Sequence, residues 1–453
     1  MPITVSAQFV SLPNWGNRQA NPFISTWQTT SASESVTLPL RTGFTYNFRV
    51  NWGDGSTSEV TSFADPDKTH VYAIAGTYKV TIRGTMEAFY FNNTGDKDKI
   101  LSVINLGKMG WTNLSGAFHG CSNLTSVNGG DTSEVTDMSY MFAAAPLATP
   151  DGSTWDTSLV TDMSFMFEDA LVANPNTSNW VTTSIINFSS MFKGAALANP
   201  TTGTWLTTSA TDMSFMFNGA SIANPNTLGW NTSLVTTMES MFEGASLAAP
   251  NTTTWNTSSV TNMMNMFKNA IVANPATSGW TTNSVTNMQG MFDGATVATP
   301  NTTSWNTALV TDMSFMFRDA IAANPVTTSW SVANVTTMES LFEGAAAATP
   351  NTGGWVTTSL TNLTATFKDA ALANPNVSSW DVSSVTSFSS MFRDASVANP
   401  NTTSWVTTSA TDMSDMFHDA ALANPDVGGV GWDVSSVTDM GGMFRDALAA
   451  NPD

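Results

Sequence analysis

Three sets of residues in this chain combine type and spacing in ways that could do chemistry. Trp155, Trp180, Trp205, Trp230, Trp255 and Trp280 recur every 25 residues, and Phe167, Phe192, Phe217 and Phe242 keep step with them. Exposed indoles at a fixed interval would stack on sugar rings; buried ones would pack a core and need a partner for each ring N–H, which neighbouring Ser and Thr hydroxyls could supply. Met163, Met166, Phe167 and Ala170 fall at the spacing of one helical face, and this favours the core.

The second set is charged. Glu168 precedes Lys193, Glu243 precedes Lys268, Asp293 precedes Arg318 and Glu343 precedes Lys368, each pair one repeat apart. If successive repeats stack, opposite charges meet across each of these boundaries, at no more than about 1 kcal/mol per exposed pair, and fix register more than they add stability. Lys368, Arg393, His418 and Arg445 then form a basic edge, each followed directly by an acid: Asp369, Asp394, Asp419 and Asp446.

The third set is sparse. Asp54, between Gly53 and Gly55, could ligate calcium, although a tight turn demands the same residues. Cys121 is the single cysteine, and His70, His119 and His418 lie too far apart in sequence to make a Cys/His metal spacing. No nucleophile stands in a recognisable local frame and no acid pair departs from the repeat. The chain reads as a non-enzyme without cofactor or resident metal.

The elements that would position these groups follow from the period. Phe142 to Phe417 recur every 25 residues without slip, and Phe444 arrives two residues late after an insertion in Val427 to Val430. A coil this short cannot close a core alone, so coils should stack and bury a shared interior. Thr161 to Ala170 predicts a short helix with Thr161 as its N-cap. Asn174-Pro175 ends it, and a short extended segment runs to Trp180. The expected fold class is an N-terminal all-β sandwich followed by a solenoid with a short helix and a short strand in each 25-residue coil. The expected divisions are an arm at 1–22, the sandwich at 23–98, a transition and capping coil at 99–136, and the array at 137–453. Asn before Pro recurs from Asn174 to Asn451, and its stacked amides should bond along the array. About thirteen coils at about 4.8 Å each would extend on the order of 60 Å.

Composition excludes several classes. The 453 residues carry a formal charge of -20 with only 11% charged side chains, which repels a phosphate backbone and argues against nucleic acid. Residues 1–118 hold nine basic and eight acidic side chains, so the acidity belongs to the array. No run reaches the roughly 20 apolar residues of a membrane-spanning helix, and Met1 to Pro22 lacks the basic start and apolar stretch of a secretion leader.

The head reads as strands. Tyr46 to Trp52 and Thr77 to Ile82 alternate, with turns at Gly53-Asp54-Gly55 and Ala75-Gly76. Trp52-Gly53-Asp54-Gly55-Ser56, His70-x-Tyr72 and Gly76-Thr77-Tyr78-x-Val80-Thr81 resemble the PKD-type immunoglobulin-like domain. The array, through Phe118-His119-Gly120-Cys121-Ser122-Asn123-Leu124 and Asp131 to Phe142, resembles the BspA-like (DUF285-like) repeats, a divergent leucine-rich-repeat group of bacterial surface proteins. The repeats also look like those on surface proteins of marine bacteria and on phage particles. The later coils depart from that group in carrying Ala after the Phe and Ala-Asn-Pro-x-Thr in place of a Leu-rich strand.

These resemblances imply an extracellular protein of a bacterial surface or a phage virion, in which a repetitive face serves attachment to a protein or glycan, or assembly into a fibre or oligomer. Self-assembly would use residues 1–22 and an uncapped C-terminal coil. The alternative is a carbohydrate-binding module built on exposed Trp. A remoter one is an ice-binding solenoid built on the Thr rows, although Thr at caps and corners bonds to backbone.

Overall fold

The computed structural model describes residues 20–429 and 431–451. Most of the arm expected at 1–22, together with Val430, Pro452 and Asp453, lies outside them. In the head, period-two alternation produces the strands, because each inward side chain then meets one core. β1 (Phe23–Thr29) buries Phe23, Ser25, Trp27 and Thr29; β2 is Glu34–Thr37; β3 (Tyr46–Asn51) buries Tyr46, Phe48 and Val50. β4 (Thr57–Val60), β5 (Thr69–Tyr72) and the long β6 (Gly76–Met86) follow. β6 pairs antiparallel with β1 on one side and β3 on the other, while β2 and β5 form a separate two-stranded sheet.

The expected immunoglobulin-like sandwich is corrected by the large sheet, which is mixed and does not stop at the head. β7 (Ile100–Asn105) joins β1 antiparallel through two irregularities, then pairs in parallel with β8 (Ser126–Val127), which pairs in parallel with β9 (Thr149–Pro150). The order is β4-β3-β6-β1-β7-β8-β9. The head's sheet therefore seeds the first coils.

The coil itself also differs from the expectation. Among the described residues from Pro22 onward there is no α-helix, and past Pro150 no coil contains a strand. Thr161 to Ala170 is a chain of overlapping turns. The amides of Met166, Glu168 and Ala170 bond three residues back, to Met163, Phe165 and Phe167, while the alternate amides of Met163, Phe165, Phe167 and Asp169 reach the carbonyls of Asn187, Ser189, Met191 and Lys193 in the next coil at 2.7–3.1 Å. Phe165 and Asp169 have φ of 57° and 54°. Two left-handed residues within five break the run of negative φ that a helix needs, and place a turn residue at the position a type II turn reserves for positive φ. Thr161 is not a cap: Asp162 Oδ1 accepts from Ser164 N–H at 2.8 Å, and the Thr161 hydroxyl donates to the Thr136 carbonyl in the preceding coil.

Proline explains the missing strands. β8 passes its ladder to β9 through Thr149 N–H to Thr125 O, but Pro150 and its successors have no amide to continue it. From there the Asn that precedes Pro in most coils supplies a side-chain acceptor. Asn174 Oδ1 takes the amide of Asn199, and Asn199 Oδ1 that of Asn224, at 2.9–3.0 Å. A one-residue-wide row of parallel bridges, from Ala88 through Asp162 to Asp439, runs beside it.

The sign of one substitution separates a turn chain from a helix. Ala144 is exposed and left-handed at φ 50°. Ala144→Gly should raise the unfolding midpoint, worth up to about 1 kcal/mol, because glycine removes the left-handed penalty; a helix would lose about 1 kcal/mol. Thermal unfolding followed by circular dichroism reads the sign.

Candidate functional site

The aromatic rows form the interior. Trp155, Trp180, Trp205, Trp230, Trp255 and Trp280 are at most 3% exposed, and successive indoles stack with centroids 6.1–6.4 Å apart. Phe167, Phe192, Phe217 and Phe242 stack at 5.3–5.7 Å. None of these six indoles has a face open to a sugar ring, which removes the basis for a glycan platform on these residues. The indole N–H groups turn to backbone instead of hydroxyls: Trp180 Nε1 donates to Gly152 O at 2.9 Å and Trp405 Nε1 to Val377 O at 3.1 Å. In the middle coils, at Trp230, Trp255, Trp280, Trp305 and Trp330, this hydrogen bond is not made.

Threonine does the buried polar work, a role the sequence reading missed. Thr157 is fully buried; its hydroxyl donates to Val181 O at 2.9 Å and accepts from Val181 N–H at 2.8 Å. Thr182, Thr207, Thr232 and Thr257 repeat the donation in their own coils, and a second row, Thr177, Thr202 and Thr227, does the same. The available signal was the recurrence of Thr two residues after the Trp in most coils, with Val in its place at Val332, Val382 and Val434. The exposed row Thr161, Thr236 and Thr261 also donates to the preceding coil. Hydroxyls already engaged this way are poorly placed to order an ice lattice.

The four charge pairs span adjacent coils. Lys193 reaches Glu168 at 2.9 Å, Lys268 reaches Glu243 at 3.3 Å, and Lys368 reaches Glu343 at 2.6 Å. Arg318 grips Asp293 with two bonds, Nε at 2.9 Å and Nη2 at 2.6 Å, and the Asp293 side chain is only 6% exposed. This pair differs in kind from the rest, because losing the guanidinium strands a desolvated carboxylate.

Asp54 is committed within the head. Its Oδ1 accepts from the amide and hydroxyl of Ser56, and its Oδ2 lies 2.7 Å from His70 Nε2. The His70 ring stacks on Trp52 at 5.1 Å, and Tyr72 Oη donates to Trp52 O at 2.8 Å. Gly53 is obligatory here: φ is 86°, and a Cβ would come within 2.7 Å of Lys79 O. These bonds account for the turn without an ion. Cys121 is buried in the first coil, and burial pushes its thiol up, away from the thiolate a nucleophile needs. His418 and Asp419, adjacent in sequence, meet Asp446 of the next coil: one ligand atom from each lies within 4.8 Å of the others.

The outward surface carries a row of aliphatics between the turn chain and the Asn row. Leu147, Leu197, Leu247, Leu372 and Leu422 are 49–54% exposed, Val172, Ile222, Val272, Val297 and Val397 hold the same place, and Ala322, Ala347 and Ala449 complete it. A hollow of about 330 Å³ near the C-terminal end is lined by Ser378, Ser379, Trp380, Asp381, Val382, Ser404 and Val406. Its one carboxylate already accepts from Ser383, so it holds no acid-base pair.

Two outcomes follow. Arg318→Ala should destabilise its coils by about 2–3 kcal/mol, whereas Lys193→Ala should change them by no more than about 1 kcal/mol, as read by hydrogen exchange of the flanking amides. The head should also fail in acid. Thr30 N–H and Lys99 hold Glu34 at about 2, and Lys108 with Ser133 does the same for Asp131. Asp54 also sits at about 2, burial raising it but the Ser56 and His70 contacts outweighing that. Folded values below the unfolded ones, which lie near 4, mean the contribution is full above about pH 4 and is lost as pH falls toward about 2. Asp54→Asn with Glu34→Gln should flatten the fall in exchange protection of the head across that window.

A family model matches this chain in six overlapping stretches, residues 112–229, 198–298, 223–330, 247–353, 273–376 and 338–453. No curated protein and no solved structure matches it. The matched stretches run without a gap across the stacked coils, and the chain belongs to the family described as Mycoplasma protein of unknown function, DUF285.

Proposed function

We propose that this chain is a non-enzymatic structural protein of an outer surface, a bacterial envelope or a virion, whose stacked coils present one repeated face for attachment or assembly. The observation that carries this reading is the exposed aliphatic row. Leu147, Leu197, Leu247, Leu372 and Leu422 occupy the same place in their coils, about half exposed, where the other inward-capable groups are consumed by ladders. A line of apolar side chains in register is costly in water unless a partner covers it, and repetition converts weak single contacts into avidity. Aliphatic rather than aromatic composition favours a protein surface over a glycan. The head, with its Trp52-Gly53-Asp54-Gly55 turn resembling PKD-type domains, serves in this reading as a compact mount from which the coils extend.

The test uses the purified full chain and a triple variant, Leu197→Ser, Leu247→Ser and Leu372→Ser. These sites are exposed, so stability should stay within about 0.5 kcal/mol. Labelled wild-type chain should be retained on intact cells of the source organism or on its virus particles, and antibody should reach the native protein there without lysis. The variant should lose at least tenfold in retention. Equal retention of the variant, or native protein found inside intact cells, would overturn the reading.

A further inference from the structure

From Phe367 onward the place after each repeat's Phe holds a Lys or Arg, with one interruption. Lys368, Arg393 and Arg445 occupy it on neighbouring coils, but the coil between Arg393 and Arg445 carries His418. Unlike its neighbours this side chain is withdrawn: the residue is only 8% exposed. It sits between carboxylates. Nδ1 lies 3.3 Å from Asp415 Oδ1 and Nε2 lies 3.2 Å from Asp419 Oδ2, yet Nδ1 has no hydrogen-bond partner and the Nε2 contact is long for a charge-assisted bond. Asp446, one coil on, brings a further carboxylate oxygen within 4.8 Å of the other two ligand atoms.

The local charge is unbalanced. Four carboxylates, Asp394, Asp415, Asp419 and Asp446, face two guanidiniums, Arg393 and Arg445. Two negative charges remain, which is the charge one divalent cation removes. The backbone holds the donors in place independently of any ion. Asp419 and Asp446 are left-handed turn residues at φ 55° and 56°, and the Asp419 amide bonds the Arg445 carbonyl at 2.9 Å.

We propose that His418, Asp419 and Asp446 bind one first-row divalent cation, which ties the coil of Phe417 to the coil of Phe444. His418 Nε2 and one carboxylate oxygen from each Asp are the ligands. Asp415 Oδ1, 3.3 Å from Nδ1 without a hydrogen bond, stands where carboxylates behind ligating histidines stand, and would take the Nδ1 proton's hydrogen bond once the ion fixes Nε2. One imidazole nitrogen beside two carboxylates suits zinc or manganese; calcium and magnesium prefer oxygen alone. The ion takes over the inter-coil role that Lys and Arg play elsewhere in the row.

The experiment titrates Zn2+ into the untagged, chelator-stripped full chain by calorimetry, with hydrogen exchange of residues 431–451 as a second readout. Wild type should bind one equivalent, and exchange in that segment should slow. His418→Arg restores the residue type of the flanking coils and so preserves folding, yet should weaken binding at least tenfold; Asp446→Asn should weaken it as well. His70→Gln, in the head, should bind as wild type does. Absence of a saturable equivalent in the wild-type chain, or equal affinity in His418→Arg, overturns the proposal.

Discussion

Each coil of this protein depends on hydrogen bonds that leave it. In the turn chain every second amide points along the stack to a carbonyl 24 residues further on, and the intervening amides close turns within the coil. That alternation needs left-handed residues at two places in each coil, as at Phe165 and Asp169 or Ser190 and Gly194. Once those φ values are set, the side chains between them point inward and can only be covered by the same side chains of neighbouring coils. Stacking of Phe on Phe and Trp on Trp is thus a consequence of backbone pairing, and the burial it achieves outweighs the surface charges. A fully buried aromatic contributes about 2–3 kcal/mol, against no more than about 1 kcal/mol for an exposed ion pair present at only some boundaries.

Removing regular strands raises a problem that polar side chains solve. Proline in every coil deletes an amide from the row that β7, β8 and β9 begin, and the backbone carbonyl ladder cannot continue there. Asn174 and its successors supply amide oxygens for the next coil, while buried Thr157 and Thr182 return both a donor and an acceptor to the backbone. Val332, Val377 and Val382, also buried, show that this interior tolerates an apolar isostere where a hydroxyl is absent. The outer surface is left to aliphatics, acids, the cation row and the exposed Thr and Asn rows whose side chains bond to neighbouring coils.

This partition shapes what the molecule can offer a partner. The indoles and one set of hydroxyls are internal, and the repeated external features include an apolar row, a charged row and a row of Thr already bonded to the preceding coil. The head contributes a different rigidity, with Trp52, His70, Tyr72 and Asp54 locked around a glycine turn and its large sheet continuing directly into the first coils.

The 25-residue period, the partners in the four charge pairs, the strands of the head and the apolar character of the Phe, Met and Trp positions were legible in the amino-acid order, because periodicity and charge are properties of composition along a line. Helical spacing of Met163, Met166 and Phe167 was misleading, since a chain of turns also brings every third and fourth residue to one side. The informative residues were those at the place of Asp169, where Asp, Asn and Gly alternate in nearly every coil: these tolerate positive φ, and they mark turns. The tertiary structure alone decided where the sheet ends, which carbonyls receive the indole N–H groups, and that His418 lies beside Asp446. Those facts depend on contacts 24 to 28 residues apart, where one coil's backbone becomes the next coil's environment, and local preference carries no information about that distance.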